Sequence, residues 1–370
     1  MIDKPRRRIL SAVGIGTVAS VLGTTFLSGS KNAGAQSVKT IRWGIVGTGG
    51  IANSMARMIK LADASEIGAI SSRRMESARE FADEHSVANA YDSWQQMIAS
   101  DDVDAIYVAT PTSVREEICI AAANGGKHVL GEKPFASLPS VKRITAACRD
   151  NGVAFMDGTH FVHHPRTLDI KNDHEDRLGF VWSVASAFQF SLTDRGNIRF
   201  NPALEPMGAI GDAGWYNMRA AVEYLAPDAQ LDTVSAHLRR DEQTGAAISG
   251  TGVLEFTDSS TSTWNCGFDS GGVVMDLRIT GTSGVINIDD FLSQNRDRSA
   301  DFLYRKGGWG PGAISDTINI ASDKPGAALM FEDMAAAAQD PALREQWMTA
   351  TERTQALLDA VWIAARQNES

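Results

Sequence analysis

From residue 41 onward the chain alternates short, mostly apolar runs with longer stretches in which apolar residues return every three or four positions. Ile41-Arg42-Trp43-Gly44-Ile45-Val46 is the first run and reads as a strand, being rich in β-branched residues. It ends in Gly47-Thr48-Gly49-Gly50-Ile51-Ala52, after which helical spacing continues through Leu61. The same reading predicts strands over 66–70 and 88–91, helices over 76–84 and 93–99, a buried strand over 104–109, an amphipathic helix over 114–123 and a strand over 128–131. Strands alternating with helices imply right-handed parallel crossovers, so this part is expected to be α/β.

Strand, G-x-G-x-x-A and helix in that order is the context of a dinucleotide-binding turn. Gly47 permits the tight turn, Gly49 lets the backbone approach a pyrophosphate, and Ala52 lets helix pack closely on strand. Thr48, Gly50 and Ile51 complete a loop whose free N–H groups open a helix N-terminus toward phosphate. An NAD site usually has Asp or Glu at the end of the second strand to hold the ribose diol. Here that end reads Ser71-Ser72-Arg73-Arg74. Ser72 and Arg73 suit a 2′-phosphate, so the expected cofactor is NADP, with NAD the alternative. Thr110-Pro111 and Glu132-Lys133 stand at the ends of later strands. Ligands of such sheets lie beyond the strands' carboxyl ends, so these pairs are expected to join the glycine turn at one edge.

At 370 residues the prior is two domains. Hydrophobic residues at 43% and charged residues at 22% are ordinary globular proportions and exclude a disordered, collagen-like or fibrous chain. A net charge of −10 argues against nucleic acid as a partner. Cys119, Cys148 and Cys266 are too widely spaced for a zinc pattern or a disulfide framework and read as small buried residues.

The first 35 residues read as a leader rather than fold. Lys4-Pro5-Arg6-Arg7-Arg8 is basic, residues 9–27 carry no charge, and Ala33-Gly34-Ala35 has an A-x-A cleavage pattern. Arg6-Arg7-x-Ile9-Leu10 resembles the twin-arginine export signal, so a periplasmic protein, free of the membrane after cleavage, is expected. The alternative is an uncleaved anchor, which the Gly, Ser and Thr content of the stretch disfavours.

The fingerprint, the Thr110-Pro111 pair and Glu132-Lys133-Pro134 together resemble the Gfo/Idh/MocA oxidoreductases. Gly208-Ala209-Ile210-Gly211-Asp212-Ala213-Gly214-Trp215-Tyr216 strengthens the resemblance: D-x-G-x-Y is similar to the branch holding glucose–fructose oxidoreductase, aldose dehydrogenases and dimeric dihydrodiol dehydrogenase. Asn197-Ile198-Arg199, Asp157-Gly158-Thr159 and His164-Pro165-Arg166-Thr167 resemble that branch too. Two places depart from the family pattern. P-N-x-x-H is replaced by Pro111-Thr112-x-x-Arg115, and Glu205-Pro206-Met207 stands where the family is glycine-rich.

The resemblance implies a Rossmann domain over 36–155 and an α+β domain over 156–370 with a large, open, mainly antiparallel sheet. Segments 180–190, 233–238, 252–256, 261–268, 275–279 and 285–288 read as its strands and 341–366 as a final helix. A homo-oligomer through the open sheet is expected.

Hydride exchange between an alcohol carbon and nicotinamide needs a group that takes and returns the hydroxyl proton. A free tyrosine is a poor base, and a neighbouring ammonium favours its phenolate. The resemblance assigns Tyr216 as general acid/base, Lys133 as its electrostatic partner, and Asp212 as orienting group; His160 and Arg199 are expected to contact substrate. His160, His163 and His164 form H-x-x-H-H, but no further ligand set accompanies them and no metal is expected. The expected function is an exported NADP-dependent oxidoreductase acting on a sugar or polyol CH–OH, passing hydride between sugars on a retained cofactor. The alternatives are an aldose or dihydrodiol dehydrogenase with dissociable cofactor, a nicotinamide-dependent glycosidase, and a non-catalytic sugar or cofactor binder.

Overall fold

The computed structural model describes residues 39–226, 228–292 and 299–369; the expected export signal lies outside them. Strands β1 (Ile41–Val46), β2 (Ser65–Ser71), β3 (Asn89–Tyr91), β4 (Ala105–Val108), β5 (His128–Gly131) and β6 (Phe155–Asp157) form one parallel sheet in the order β3-β2-β1-β4-β5-β6. Helices α1 (Gly50–Leu61), α2 (Met75–His85), α3 (Trp94–Ala99), α4 (Thr112–Asn124) and α5 (Leu138–Asp150) connect them. β4, and β1 apart from the partly exposed Arg42, are apolar on both faces because both are covered: Trp43, Ile45, Ile106 and Val108 are fully buried. Strand order reverses between β1 and β4, which opens a crevice at their carboxyl ends.

Helices α6 (Pro165–Asn172) and α7 (His174–Arg177) lead into the second sheet. It comprises β7 (Val181–Ser191), β8 (Leu231–Arg240), β9 (Ala247–Phe256), β10 (Thr261–Gly267), β11 (Asp269–Val274), β12 (Leu277–Gly281), β13 (Val285–Ile288), β14 (Ser299–Lys306) and β15 (Ile314–Ala321). The order is β15-β14-β13-β12-β7-β10-β9-β8, with β11 beside β7. Among the described strands β10 runs parallel to β7, and the other named pairings are antiparallel, giving the mainly antiparallel sheet expected.

One face of this sheet carries Val184, Leu254, Trp264, Cys266, Ile279 and Ile286, all buried; over β7, β8, β9 and β10 this face is covered by α9 (Gly214–Tyr224), α11 (Pro341–Gln367) and the short α8 (Gly208–Asp212). Alternate residues, among them Thr251, Thr263 and Arg278, are exposed on the other face.

The expected junction at residue 155 falls inside β6, and α10 (Gly326–Ala337) returns to pack on the first sheet. The Phe331 ring meets Trp43 edge-on at 4.9 Å and Tyr107 at 5.9 Å. Ala327, Met330, Phe331 and Met334 share one core cluster with Trp43, Ile45, Ala52 and Ile59. α10 thus covers a face of the first sheet that residues 39–155 leave open.

Candidate active site

At the end of β1, Gly47 has φ +110°, and a Cβ there would stand 2.7 Å from the Ala109 carbonyl oxygen, so no other residue fits. Gly49 is the N-cap of α1 and has no side-chain cap; a Cβ on Gly49 or Gly50 would meet nothing within 4 Å. Open space therefore lies before a helix N-terminus whose N–H groups are offered to an anion.

That space belongs to a cleft of about 1510 Å³. Gly47, Thr48, Gly49, Gly50 and Ile51 line it, as do Ser72 and Arg73 at the end of β2, Thr110 and Pro111 after β4, and Glu132 and Lys133 after β5. Asp212, Tyr216, His160 and Arg199 also line it, so the residues singled out from sequence meet in one cavity. The Thr110 hydroxyl is buried with no hydrogen-bond partner among the described residues. Buried polar atoms are rarely left unpaired, and an orphan hydroxyl beside an open phosphate cradle fits a nucleotide's polar groups.

Lys133 follows a strand of the first sheet, whereas Tyr216 lies on α9, which packs on the second. That strand is β5, whose neighbour β6 ends at Asp157 and is followed by Gly158-Thr159. Asp157 accepts from buried Arg219 at 2.7 Å, and Thr159 Oγ1 accepts from Trp215 Nε1 at 2.6 Å, which ties α9 to β6. A Cβ at Gly158 would sit 2.9 Å from Glu132 Oε1, so glycine there leaves room for the carboxyl. Tyr107 donates its hydroxyl to the same oxygen at 2.6 Å, and burial pushes the Glu132 carboxyl up.

Lys133 Nζ donates to Asp212 Oδ1 at 2.7 Å and to the Asp212 carbonyl at 3.0 Å, and stands 4.8 Å from the centre of the Tyr216 ring. Arg199 Nε donates to the other Asp212 oxygen at 2.7 Å. Burial pushes Asp212 up, but the two cations outweigh it and hold the carboxyl well below its usual range. Burial likewise lowers Lys133, but Asp212, Tyr216 and Glu132 together outweigh it and the ammonium's pKa rises. Asp212 therefore orients lysine and is the largest of the contributions that keep it charged.

Tyr216 differs from the expectation drawn from its neighbour. Burial pushes its phenol up to about 12, and Lys133 offsets only part of that shift. In this pocket the hydroxyl is a neutral proton donor at ordinary pH. Its oxygen lies 3.5 Å from His160 Nε2, and burial pushes His160 down to about 3, leaving the imidazole neutral. His163 and His164 diverge from it: His163 Nδ1 faces Asp333 at 2.6 Å, and His164 Nδ1 accepts from the Arg166 backbone at 3.1 Å.

The sequence reading missed two contributors, Phe188 and Phe190, and noted two others, Arg115 and Glu205, only as departures from the family pattern. Phe188 and Phe190 on β7 line the cleft beside Tyr216, with the Phe188 ring edge-on to Tyr216 at 5.5 Å. Their i, i+2 spacing on a predicted strand marks one shared face and was the available signal. Arg115 and Glu205 also line the cleft.

A parallel sheet with an open helix N-terminus, and a Lys–Asp–Tyr constellation lining the same cleft, define a nucleotide-dependent oxidoreductase architecture. Residues 41–159 match the family described as "Oxidoreductase family, NAD-binding Rossmann fold", and residues 174–287 match the GFO/IDH/MocA C-terminal domain. The chain belongs to the Gfo/Idh/MocA oxidoreductase family. It is 31% identical to D-xylose 1-dehydrogenase (NADP(+)) 2 of Haloferax volcanii over 72% of this chain and 81% of that one. The fold is shared with a 3-ketoreductase from Actinomadura kijaniata in complex with NADP and TDP-benzene, at TM-score 0.79 and 23% identity over 88% of this chain and 98% of the other. An aldose–aldose oxidoreductase from Caulobacter crescentus superposes at TM-score 0.78 and 21% identity, covering 89% and 98% of the two chains.

Proposed function

We propose that the chain is an NADP-dependent oxidoreductase of a sugar or related polyol, with Tyr216 as general acid/base. The observation that carries this reading is that Tyr216, Lys133 and Asp212 line the same cleft as Ser72 and Arg73. When bound, the nicotinamide supplies or accepts the hydride. Gly49 and the first turn of α1 would hold the pyrophosphate, and Ser72 and Arg73 the 2′-phosphate.

In the reducing direction the neutral Tyr216 hydroxyl donates its proton to the carbonyl oxygen of the substrate. The Lys133 ammonium stabilises the phenolate left behind, and Asp212 and Arg199 keep that ammonium in place. In the oxidising direction the same oxygen takes the proton back. His160 and Arg199 flank the space open to a polyhydroxyl ligand, and Phe188 and Phe190 supply an apolar wall.

Export through the twin-arginine route, supported by Arg6-Arg7 and the A-x-A pattern, would place the folded protein in the periplasm. No exchanging NADP pool is expected there, which favours a cofactor retained while one sugar is oxidised and another reduced. The 31% identity to a D-xylose dehydrogenase favours a second reading, an aldose dehydrogenase with dissociable cofactor. The exposed outer face of the second sheet supports self-association of the chain. Nicotinamide absorbance of purified protein, before and after adding single aldoses, tests the proposal. Reduction without added cofactor supports retention, reduction needing added NADP supports the second reading, and no reduction with any aldose or polyol overturns both.

A further inference from the structure

The two departures from the family pattern meet in space. Segment 192–207, between β7 and α8, crosses from the second domain to the N-terminus of α4 in the first. There the Thr112 backbone N–H donates to Glu205 Oε1 at 3.0 Å, the Thr112 hydroxyl donates to Oε2 at 2.6 Å, and the Ser113 N–H donates to the Leu204 carbonyl at 3.2 Å. The α4 N-cap is Pro111, which offers no side-chain acceptor. Glu205 supplies the missing cap, and its charge faces the positive end of a 13-residue helix.

Beneath this contact lies Arg115, 4% exposed. Its guanidinium donates to the carbonyl oxygens of Thr110 and Pro134, one on each of the turns that end β4 and β5, and to Thr112 Oγ1 at 3.2 Å. Burial lowers the Arg115 pKa, and Glu205 is the carboxylate that most opposes it. Swinging segment 192–207 outward would uncap α4 and leave a buried guanidinium with less compensation. The segment also carries Arg199, which holds Asp212.

We propose that Glu205 and Arg115 are positioning residues of a clasp that fastens segment 192–207 over the cofactor cleft, joins the two strand-end turns beneath it, and sets how fast the dinucleotide leaves. The proposal rests on the reading of the cleft as an NADP site. Leu204, Glu205 and Ile198 line the same cleft as the glycine turn, so the clasp borders the space that a dinucleotide lying there would fill.

The test is the release rate of NADPH from the full-length protein, followed by its fluorescence when excess NADP displaces it. Glu205→Gln keeps shape and removes charge; release should quicken about tenfold or more, the scale of one charge-assisted hydrogen bond. Arg115→Met should quicken it similarly, and Arg115→Lys, which keeps charge without the planar fork, should lie between. The double variant should release no faster than about the faster single one, because both changes open one clasp. A purely structural role would lower the unfolding midpoint with release unchanged. Should Arg115→Met fail to fold, half-buried Glu205 still carries the test. Release at the parent rate in Glu205→Gln, or strictly multiplying effects, overturns the clasp while leaving the cofactor site standing. Failure of the parent to bind NADPH overturns the cofactor reading and the clasp with it.

Discussion

Lys133 Nζ makes its 2.7 Å hydrogen bond to Asp212 and lies 4.8 Å from the centre of the Tyr216 ring. The ammonium thus acts on the tyrosine through space, as a fixed charge over the ring, while the carboxylate sets where that charge stands. The phenol remains protonated in the resting pocket, and lysine matters most once the proton has gone.

This arrangement fixes the expected behaviour of Tyr216→Phe. Cofactor binding should persist, because shape is nearly kept, while single-turnover reduction falls about 10²–10⁴-fold. Since burial holds the phenol up to about 12, the donor stays loaded and the parent's reduction rate should be flat from about pH 6 to 9. A parent rate that titrates near neutrality would assign the proton to another group. Lys133→Ala should lose at least as much, and the double variant much less than the product of the two.

Cofactor preference should reside at the end of β2. Arg73→Ala should weaken NADP by about 10–100-fold, the scale of charge-assisted hydrogen bonds, and leave NAD nearly unchanged. Titration calorimetry with both cofactors measures this, and equal affinities in the parent would remove Ser72 and Arg73 from the site.

Stability should fall in acid through Glu223. Burial pushes this carboxyl up, but Arg219, bonded at 2.8 Å, and Lys171 outweigh it and hold it at about 2. A depressed folded pKa contributes stability that is present above the unfolded value of 4.5 and is lost as pH falls through that value toward about 2. Urea midpoints across that range should drop for the parent. Glu223→Gln should cost about 3–5 kcal/mol at neutral pH, as for a broken buried pair, and show a shallower acid slope. Identical slopes would place the acid sensitivity elsewhere.

Replacing Arg6-Arg7 by Lys-Lys should leave folded precursor in the cytoplasm. Fractionation followed by immunoblot of parent and variant tests the proposed export, and an identical distribution of the two would overturn the twin-arginine route.

The cofactor half of the cleft was legible because its determinants are local. A strand, a glycine turn and a helix lie within about 20 residues, and each later contributor sits at the end of an apolar run. Tyr216 and Lys133 were legible through their motifs. Glu205 and Thr112 are 93 positions apart, and nothing in either segment signals the contact. β6 is three residues long, too short for a pattern. β15 exposes most of its residues and shows no apolar alternation strong enough to read. α10 fails for the opposite reason. It is buried at Gly326, Ala327, Ala328, Met330, Phe331, Met334, Ala335 and Ala337, so it has no broad polar face to reveal a period.

The return of α10 also bears on the order in which the protein is made. Trp43 and Ile45 emerge from the ribosome early, yet the aromatic ring that covers Trp43 is Phe331, nearly three hundred residues later. A nascent chain cannot finish its nucleotide-binding core until α10 has been translated. Any leader at its front therefore waits, already synthesised, for a fold that closes almost at the end of synthesis.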